Sequence, residues 1–324
     1  MLSLVIPVYK NEANIPPLLE ALQALHLSMG EDGFEVVFVV DGSPDRSFLV
    51  LRESLPHVSF AAQLLSLSRN FGAFAAIKAG LAAAKGDQIA VMAADLQEPP
   101  ELVLQMYRGL SAGECDVAYG LRTGRDDPLP SRLMSQAFWA LYRRFVAADI
   151  PRGGVDVFAV SAAVRDQVLA LNERNSSLVA LLFWVGFRRK GYPYQRRARE
   201  IGTSAWTFVK KWRYMQDSIF SFSDLPITFL LGLGFFGFLF SGGLALIVLI
   251  ASLLGSIAVP GYAATILVIL FLGMLQIFSL GILGVYLWRV FENTKGRPSF
   301  IVMSSEAFSS EQHEHVLSAS PGTG

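Results

Sequence analysis

Cysteine is almost absent. Cys115 stands alone, so no internal disulfide can form and nothing points to an oxidising compartment. Histidine is sparse too: His26, His57, His313 and His315 have no metal-ligand spacing. Neither sign of charge is in excess, with 27 Lys and Arg against 27 Asp and Glu. That balance removes a global field that would gather nucleic acid. The first residues, Met1-Leu2-Ser3-Leu4-Val5-Ile6-Pro7, lack a basic region and carry too short an apolar run for a secretion signal. The first domain is therefore expected in the cytoplasm. The most informative absence is that of Asp, Glu, Lys and Arg throughout Leu225 to Trp288. One helical crossing of a bilayer takes roughly 20 apolar residues, so this run is long enough for two.

Before that run, short apolar stretches alternate with amphipathic ones, the pattern of an α/β domain with a mainly parallel sheet. Strands are expected at 2–8, 34–40, 60–66, 88–94 and 116–120, and helices at 14–29 and 71–85. Pro16 and Pro17 fall in the first turn of the earlier helix, where a missing N–H costs least. In such sheets ligands bind beyond the carboxyl ends of the strands. The loops Pro7–Glu12, Asp41–Asp45 and Asp95–Pro100 leave strands on that edge. Asp41 and Asp45 suit ribose hydroxyls or a base N–H. Asp95 and Gln97 offer hard oxygens suited to Mg²⁺ or Mn²⁺. Arg122, Arg125 and Arg132 follow the fifth strand, where guanidinium groups can grip phosphate bidentately. Taken singly, an Asp-Gly-Ser turn is only a turn, and Asp95 reads first as a cap of the next helix; the order of the motifs below favours the metal role.

Between 188 and 213 the balance of charge breaks. Arg188, Arg189, Lys190, Arg196, Arg197, Arg199, Lys210, Lys211 and Arg213 face a single acid, Glu200. Phe208, Trp212, Met215, Ile219 and Phe222 then recur at helical spacing, which predicts an amphipathic segment in a membrane interface. Because it adjoins the uncharged run, anionic lipid is the expected partner rather than nucleic acid. The run itself divides into Ile227–Leu254 and Tyr262–Trp288 around a short turn. Basic residues on both outer flanks put both termini in the cytoplasm. Small residues, among them Gly237, Gly273, Gly281 and Gly284, suit close helix contact and self-association. The Ser-rich tail after Met303 is expected to be disordered.

The order of several motifs carries a resemblance. Val5-Ile6-Pro7-Val8-Tyr9-Lys10-Asn11-Glu12, Val39-Val40-Asp41-Gly42-Ser43-Pro44-Asp45, Ser68-Arg69-Asn70-Phe71-Gly72, Ala94-Asp95-Leu96-Gln97-Glu98-Pro99-Pro100 and Gly120-Leu121-Arg122 follow one another. In this order they resemble the family 2 glycosyltransferases, and within them the polyprenyl-phosphate group. The likeness continues through Gly153–Phe158, Trp184–Phe187, Arg196–Arg199, Gly202–Ser204, Gly281–Tyr286 and Arg297-Pro298. It implies an α/β GT-A (Rossmann-like) nucleotide-sugar-binding domain over 1–203. After it would come a juxtamembrane segment at 204–224, a transmembrane helical hairpin at 225–290 and a cytoplasmic tail at 291–324. It further implies a divalent metal and inverting transfer of one sugar to a polyprenyl phosphate at the cytoplasmic face of the inner membrane, in cell-envelope glycan synthesis. Pro7, Tyr9, Glu12 and Asp41 would line the nucleoside pocket, and Arg122 and Arg132 would meet phosphates. Asp95 and Gln97 would hold the metal, and Asp156 would serve the acceptor. Arg196, Arg199 and Ser204 would hold the lipid phosphate.

Three positions depart from that pattern. Val40 and Ala93 stand where the family places carboxylates, and Ala205 stands where it tends to place Lys. Since Mg²⁺ keeps several waters and phosphate oxygens in its octahedron, Asp95 with Gln97 can suffice. The competing reading is a decayed transferase acting as a membrane scaffold. A processive polysaccharide synthase is disfavoured by the lack of Gln-x-x-Arg-Trp and Thr-Glu-Asp elements. No ionisable residue sits inside the crossings, which argues against ion-coupled transport.

Overall fold

Aliphatic runs near the start of the chain form the centre of one mixed, eight-stranded sheet. In the computed structural model the described residues are 1–30, 32–123, 140, 144, 149–151, 154–171, 177–197, 216–217, 219–220, 225–254 and 261–309. The strands are β1 (Leu2–Val8), β2 (Phe34–Val40), β3 (Ala61–Leu67), β4 (Gln88–Val91), β5 (Val117–Arg122), β6 (Phe158–Ser161), β7 (Arg189–Tyr194) and β8 (Val302–Phe308). Their order across the sheet is β7-β5-β6-β4-β1-β2-β3-β8. β1 pairs in parallel with both β2 and β4, and β2 pairs in parallel with β3. The chain thus builds outward from β1 to β3 and then returns to lay β4 on the other side of β1. Connections from β1 and β4 diverge there, and ligand sites form at such switch points.

β1 is buried on both faces, as expected for a parallel strand covered by helices. On one face Leu2, Leu4, Ile6 and Val8 share a core with Ile15, Leu18 and Leu22 of α1 (Ile15–Met29) and with Leu102, Val103 and Met106 of α4 (Pro100–Ser111). Full burial of each such aliphatic chain contributes about 1.5–3 kcal/mol. Helix α2 (Ser47–Ser54) adds Leu51 to that layer. On the other face α3 (Ala73–Ala83) lies so close that a Cβ at Gly80 would come within 2.2 Å of Val5 Cγ1. Helices α5 (Ala162–Ala170) and α6 (Leu178–Trp184) complete the α/β part of the chain.

The sheet is less parallel than the sequence predicts. β6 runs antiparallel to β4 and β5, while β7 lies parallel to β5. β5 and β7 therefore end, and β6 begins, on the same edge where β1 and β4 end. The tail expected to be disordered contributes β8, antiparallel to the β3 edge. Pairing supplies what composition does not: Ser68 N–H donates to Ile301 O at 3.0 Å, and Arg52 Nε meets Glu306 at 3.0 Å. Its polar residues suit an edge strand with one wet face.

The chain divides into two compact units, Met1–Lys211 with Pro298–Gly324, and Trp212–Arg297. The second unit contains α7 (Leu225–Leu253) and α8 (Tyr262–Thr294). Among the described residues one stretch, Phe271–Thr294 of α8, is apolar and long enough to cross a membrane. The expected turn between the two crossings lies largely outside the described residues, as does most of the amphipathic segment. Within this unit Arg289 donates to Asp217 Oδ1 at 2.7 Å, and the Phe220 and Tyr286 rings lie 5.4 Å apart.

Candidate active site

Two loops at the ends of β1 and β2 are laced by side chains that accept from backbone. Lys10 N–H donates to Ser43 Oγ at 2.8 Å and Asn11 N–H to Ser47 Oγ at 3.2 Å. Glu12 N–H donates to Asp45 Oδ2 at 3.2 Å, and Arg46 N–H returns to Glu12 Oε2 at 3.0 Å. Burial raises the Asp45 pKa, but bonds from Ser43, Ser47 and Glu12 outweigh it and the pKa ends lowered. Glu12 is thus a cross-loop clasp as well as a candidate nucleoside contact.

Asp41, 3% exposed, does a related job. Its two oxygens accept from the N–H groups of Phe71 and Gly72 at 2.7 and 2.8 Å. Gly72, at φ +98, departs from helical geometry, so α3 begins at Ala73 rather than at Phe71. Burial nevertheless wins, and the Asp41 pKa is raised despite both bonds and nearby Arg69. Gly42 has φ +55, and a Cβ there would fall 2.3 Å from the Arg69 carbonyl carbon. A side chain at this turn would push the two loops apart.

Beyond β4 the chain turns through Leu96, which has φ +54, a conformation that a branched non-glycine residue rarely holds. Gln97 N–H donates back to Asp95 Oδ1 at 3.4 Å, so both predicted metal ligands lie in one tight turn. Glu98 follows, 1% exposed, with Oε2 lacking any partner among the described residues. Burial pushes its pKa up to about 7. The charges of Asp156 and Asp95 add to the rise, against Arg196 and Arg122.

The edge crossing of β5, β6 and β7 brings three more groups in. Arg122, at the end of β5, donates through Nη2 to Asp156 Oδ2, and Tyr194 at the end of β7 donates to the same oxygen at 3.2 Å. Burial opposes the charge on Arg122, but Asp156 and Tyr194 more than offset it and hold the guanidinium protonated. Burial, and then the Asp156 charge, push the Tyr194 phenol upward. Among the described residues Arg122 Nε has no partner. Arg196 Nη2 donates to Gln97 Oε1 at 2.6 Å and its Nε lies 3.7 Å from Glu98 Oε1.

Among the described residues no three His, Cys, Asp or Glu side chains form a metal cage by themselves. The donor set still fits a hard divalent ion that brings its own phosphate and water ligands. Asp95 supplies a carboxylate and Gln97 an amide oxygen. Asp95 and Asp156 also crowd enough negative charge around Glu98 to disfavour a further anion. A guanidinium already rests on Gln97 Oε1, so that oxygen is arranged to meet a cation.

Asp95, Gln97, Arg122, Asp156 and Arg196 thus gather around one end of the sheet. Pro7, Tyr9, Glu12 and Asp41 stand at or beyond the ends of the neighbouring strands β1 and β2. Arg125, Arg132, Arg199 and Ser204 lie outside the described residues. Sequence reasoning passed over Glu98 and Tyr194. The only hint of Glu98 was an acid directly before Pro99-Pro100, and nothing in the sequence marked its burial. Tyr194 could not be placed without β7.

The sequence profile described as Glycosyl transferase family 2 matches residues 3–171. An uncharacterized glycosyltransferase of Synechocystis, sll0501, is 33% identical over 306 residues, covering 93% of this chain and 94% of that protein. The SfII prophage-derived bactoprenol glucosyl transferase of Shigella flexneri is 30% identical over 309 residues, covering 94% of this chain and 98% of that protein. A prophage bactoprenol glucosyl transferase homolog of Escherichia coli K12 is 31% identical over 304 residues, covering 93% and 98%. With more than half of its length matched by the family profile and nearly all of it by such relatives, this chain belongs to the family 2 glycosyltransferases.

Proposed function

We propose that this protein is a membrane-bound inverting transferase that moves one sugar from a nucleotide sugar to a polyprenyl phosphate at the cytoplasmic face. One observation carries the reading. Two arginines, Arg122 and Arg196, meet Asp156 and Gln97 at one sheet edge, in a chain that matches proteins named bactoprenol glucosyl transferase along more than nine-tenths of its length. The likeness therefore includes the apolar helices and not only the α/β part of the chain. On this reading α7 and α8 both cross the bilayer, and the acceptor is presented at the water boundary.

Pro7, Tyr9, Glu12 and Asp41 line the nucleoside pocket, with Asp41 acting partly through the loop it pins at Phe71 and Gly72. Asp95 and Gln97 would hold Mg²⁺ or Mn²⁺, which when bound would offset charge growing on the departing diphosphate. An oxygen of the lipid phosphate attacks the anomeric carbon from the face opposite the diphosphate. The new C–O bond forms as the old one breaks, and its electron pair leaves with the nucleoside diphosphate. A phosphate monoester loses its second proton near pH 6, so the attacking oxygen is already largely unprotonated at neutral pH. Asp156 then needs only to orient the acceptor, and its bonds from Arg122 and Tyr194 hold it in place for that role. Arg122 keeps an uncommitted Nε that can turn toward phosphate. Arg196 meets the lipid phosphate, as Arg199 and Ser204 do in the sequence reading.

The test is mass spectrometry of the lipid fraction after full-length protein in detergent is offered polyprenyl phosphate, a panel of nucleotide sugars, and Mg²⁺ or Mn²⁺. A mass matching one hexose on the lipid phosphate is expected for one donor. Donor hydrolysis without any glycosylated lipid would overturn the acceptor, and no turnover with retained donor binding would favour the scaffold.

A further inference from the structure

Arg196 holds two groups at once. Its Nη2 donates to Gln97 Oε1 at 2.6 Å, and its Nε lies 3.7 Å from the buried Glu98 carboxylate. That amide oxygen is the one assigned above to the metal. The oxygen has two lone pairs, but a guanidinium and a divalent ion drawn to it together would repel each other at close range, so they compete for the same place. The oxygen is aimed at Arg196 because the other end of the same amide is engaged: Gln97 Nε2 donates to Arg197 O at 3.3 Å.

Arg197 behaves differently. Its backbone N–H donates to Gln97 O at 2.9 Å, while its own guanidinium lies 3.8 Å from the exposed Glu101. These backbone contacts keep position 196 beside Gln97 whatever its side chain does. A displaced Arg196 guanidinium stays tethered at the site and does not return to bulk water.

We propose that Arg196 is an exchangeable occupant of the cation site: it rests on Gln97 and Glu98 in the free enzyme, is displaced when metal and nucleotide bind, and then takes the acceptor phosphate. The inference rests on the metal and acceptor roles proposed above. Acceptor phosphate, by drawing Arg196 away, tightens metal binding. Linkage requires the metal to tighten acceptor binding by the same factor. Loss of a charge-assisted hydrogen bond of this kind sets the scale at about tenfold.

The experiment is Mn²⁺ binding to the full-length protein in detergent, read by EPR of the free ion, with UDP and GDP offered in turn. Wild type, Arg196→Gln and Arg197→Gln are each measured with and without farnesyl phosphate. Arg196→Gln is expected to bind Mn²⁺ about tenfold more tightly than wild type without farnesyl phosphate, and to ignore its addition. Wild type and Arg197→Gln are expected to agree within about twofold and to tighten when farnesyl phosphate is added. Equal tightening in both variants would reduce the effect to net charge and overturn the proposal, as would no tightening in Arg196→Gln. A wild type indifferent to farnesyl phosphate would overturn the exchange onto the acceptor. Failure of all three proteins to bind Mn²⁺ would instead remove the metal role on which the inference rests.

Discussion

At the amino end of the strands Glu35 is 3% exposed, and at the carboxyl end Glu98 is 1% exposed. Glu35 is fully engaged. Its Oε1 accepts from Ser3 Oγ at 2.5 Å and Lys85 N–H at 2.7 Å, and its Oε2 accepts from Gln63 Nε2 at 3.0 Å. Ser3 Oγ in turn accepts from Gly86 N–H at 2.7 Å, so the network joins β1, β2, β3 and the turn before β4. Glu98 has one oxygen 3.7 Å from Arg196 and the other without a partner among the described residues. Two buried acids of one type therefore do opposite work. A carboxylate with both oxygens matched fastens strands together. One left short of partners holds its charge weakly, with a pKa pushed up to about 7, and lies beside the Arg196 guanidinium.

The largest effect that would sharpen this contrast is on chemistry at the carboxyl end. Asp95→Ala is expected to lower kcat/KM for transfer by about 10³-fold, with thermal unfolding within about 2 °C of wild type. Near-normal turnover in that variant would break the assignment of function to this end. Next comes the opposite end: Glu35→Ala should cost about 3 kcal/mol in chemical unfolding, because it strands several buried donors, while the protein that remains folded transfers sugar normally. Lost turnover at full stability would erase the distinction. Asp41→Asn should raise the donor KM about tenfold with kcat largely kept, since the Phe71 and Gly72 N–H groups lose a charged acceptor. An equal fall in kcat would place Asp41 at the reacting atoms instead. The smallest expected change is in the stability of Glu98→Gln, within about 1 kcal/mol of wild type, since the amide gives up a charge that burial already disfavours. A loss as large as that of Glu35→Ala would make the two ends alike.

Most of the central sheet was legible because burial on both faces demands unbroken apolar runs. Leu2–Val8 and Phe34–Val40 carry such runs at lengths only strands suit. The strands that escaped notice are those whose order comes from neighbours. Arg189-Lys190-Gly191-Tyr192-Pro193-Tyr194 has neither alternation nor a hydrophobic run, and only the register with Val117–Arg122 makes it β7. Val302–Phe308 reads as a polar tail until β3 offers it an edge. In the site, Asp95, Gln97, Arg122 and Asp156 could be named from motif order. Their mutual contacts could not, because those depend on β6 running against its neighbours. The hold of Arg196 on Gln97 joins residues 99 positions apart and leaves no local pattern.

The position of β8 has a consequence for how the protein is made. Its partner β3 leaves the ribosome early, while β8 follows both long apolar helices. Until the last strand is laid down, the row of N–H and C=O groups along β3 stays open to any passing strand. Synthesis order therefore makes completion of the catalytic half wait on the apolar half. A chain stalled or clipped within the helices carries a raw sheet margin that marks it as unfinished.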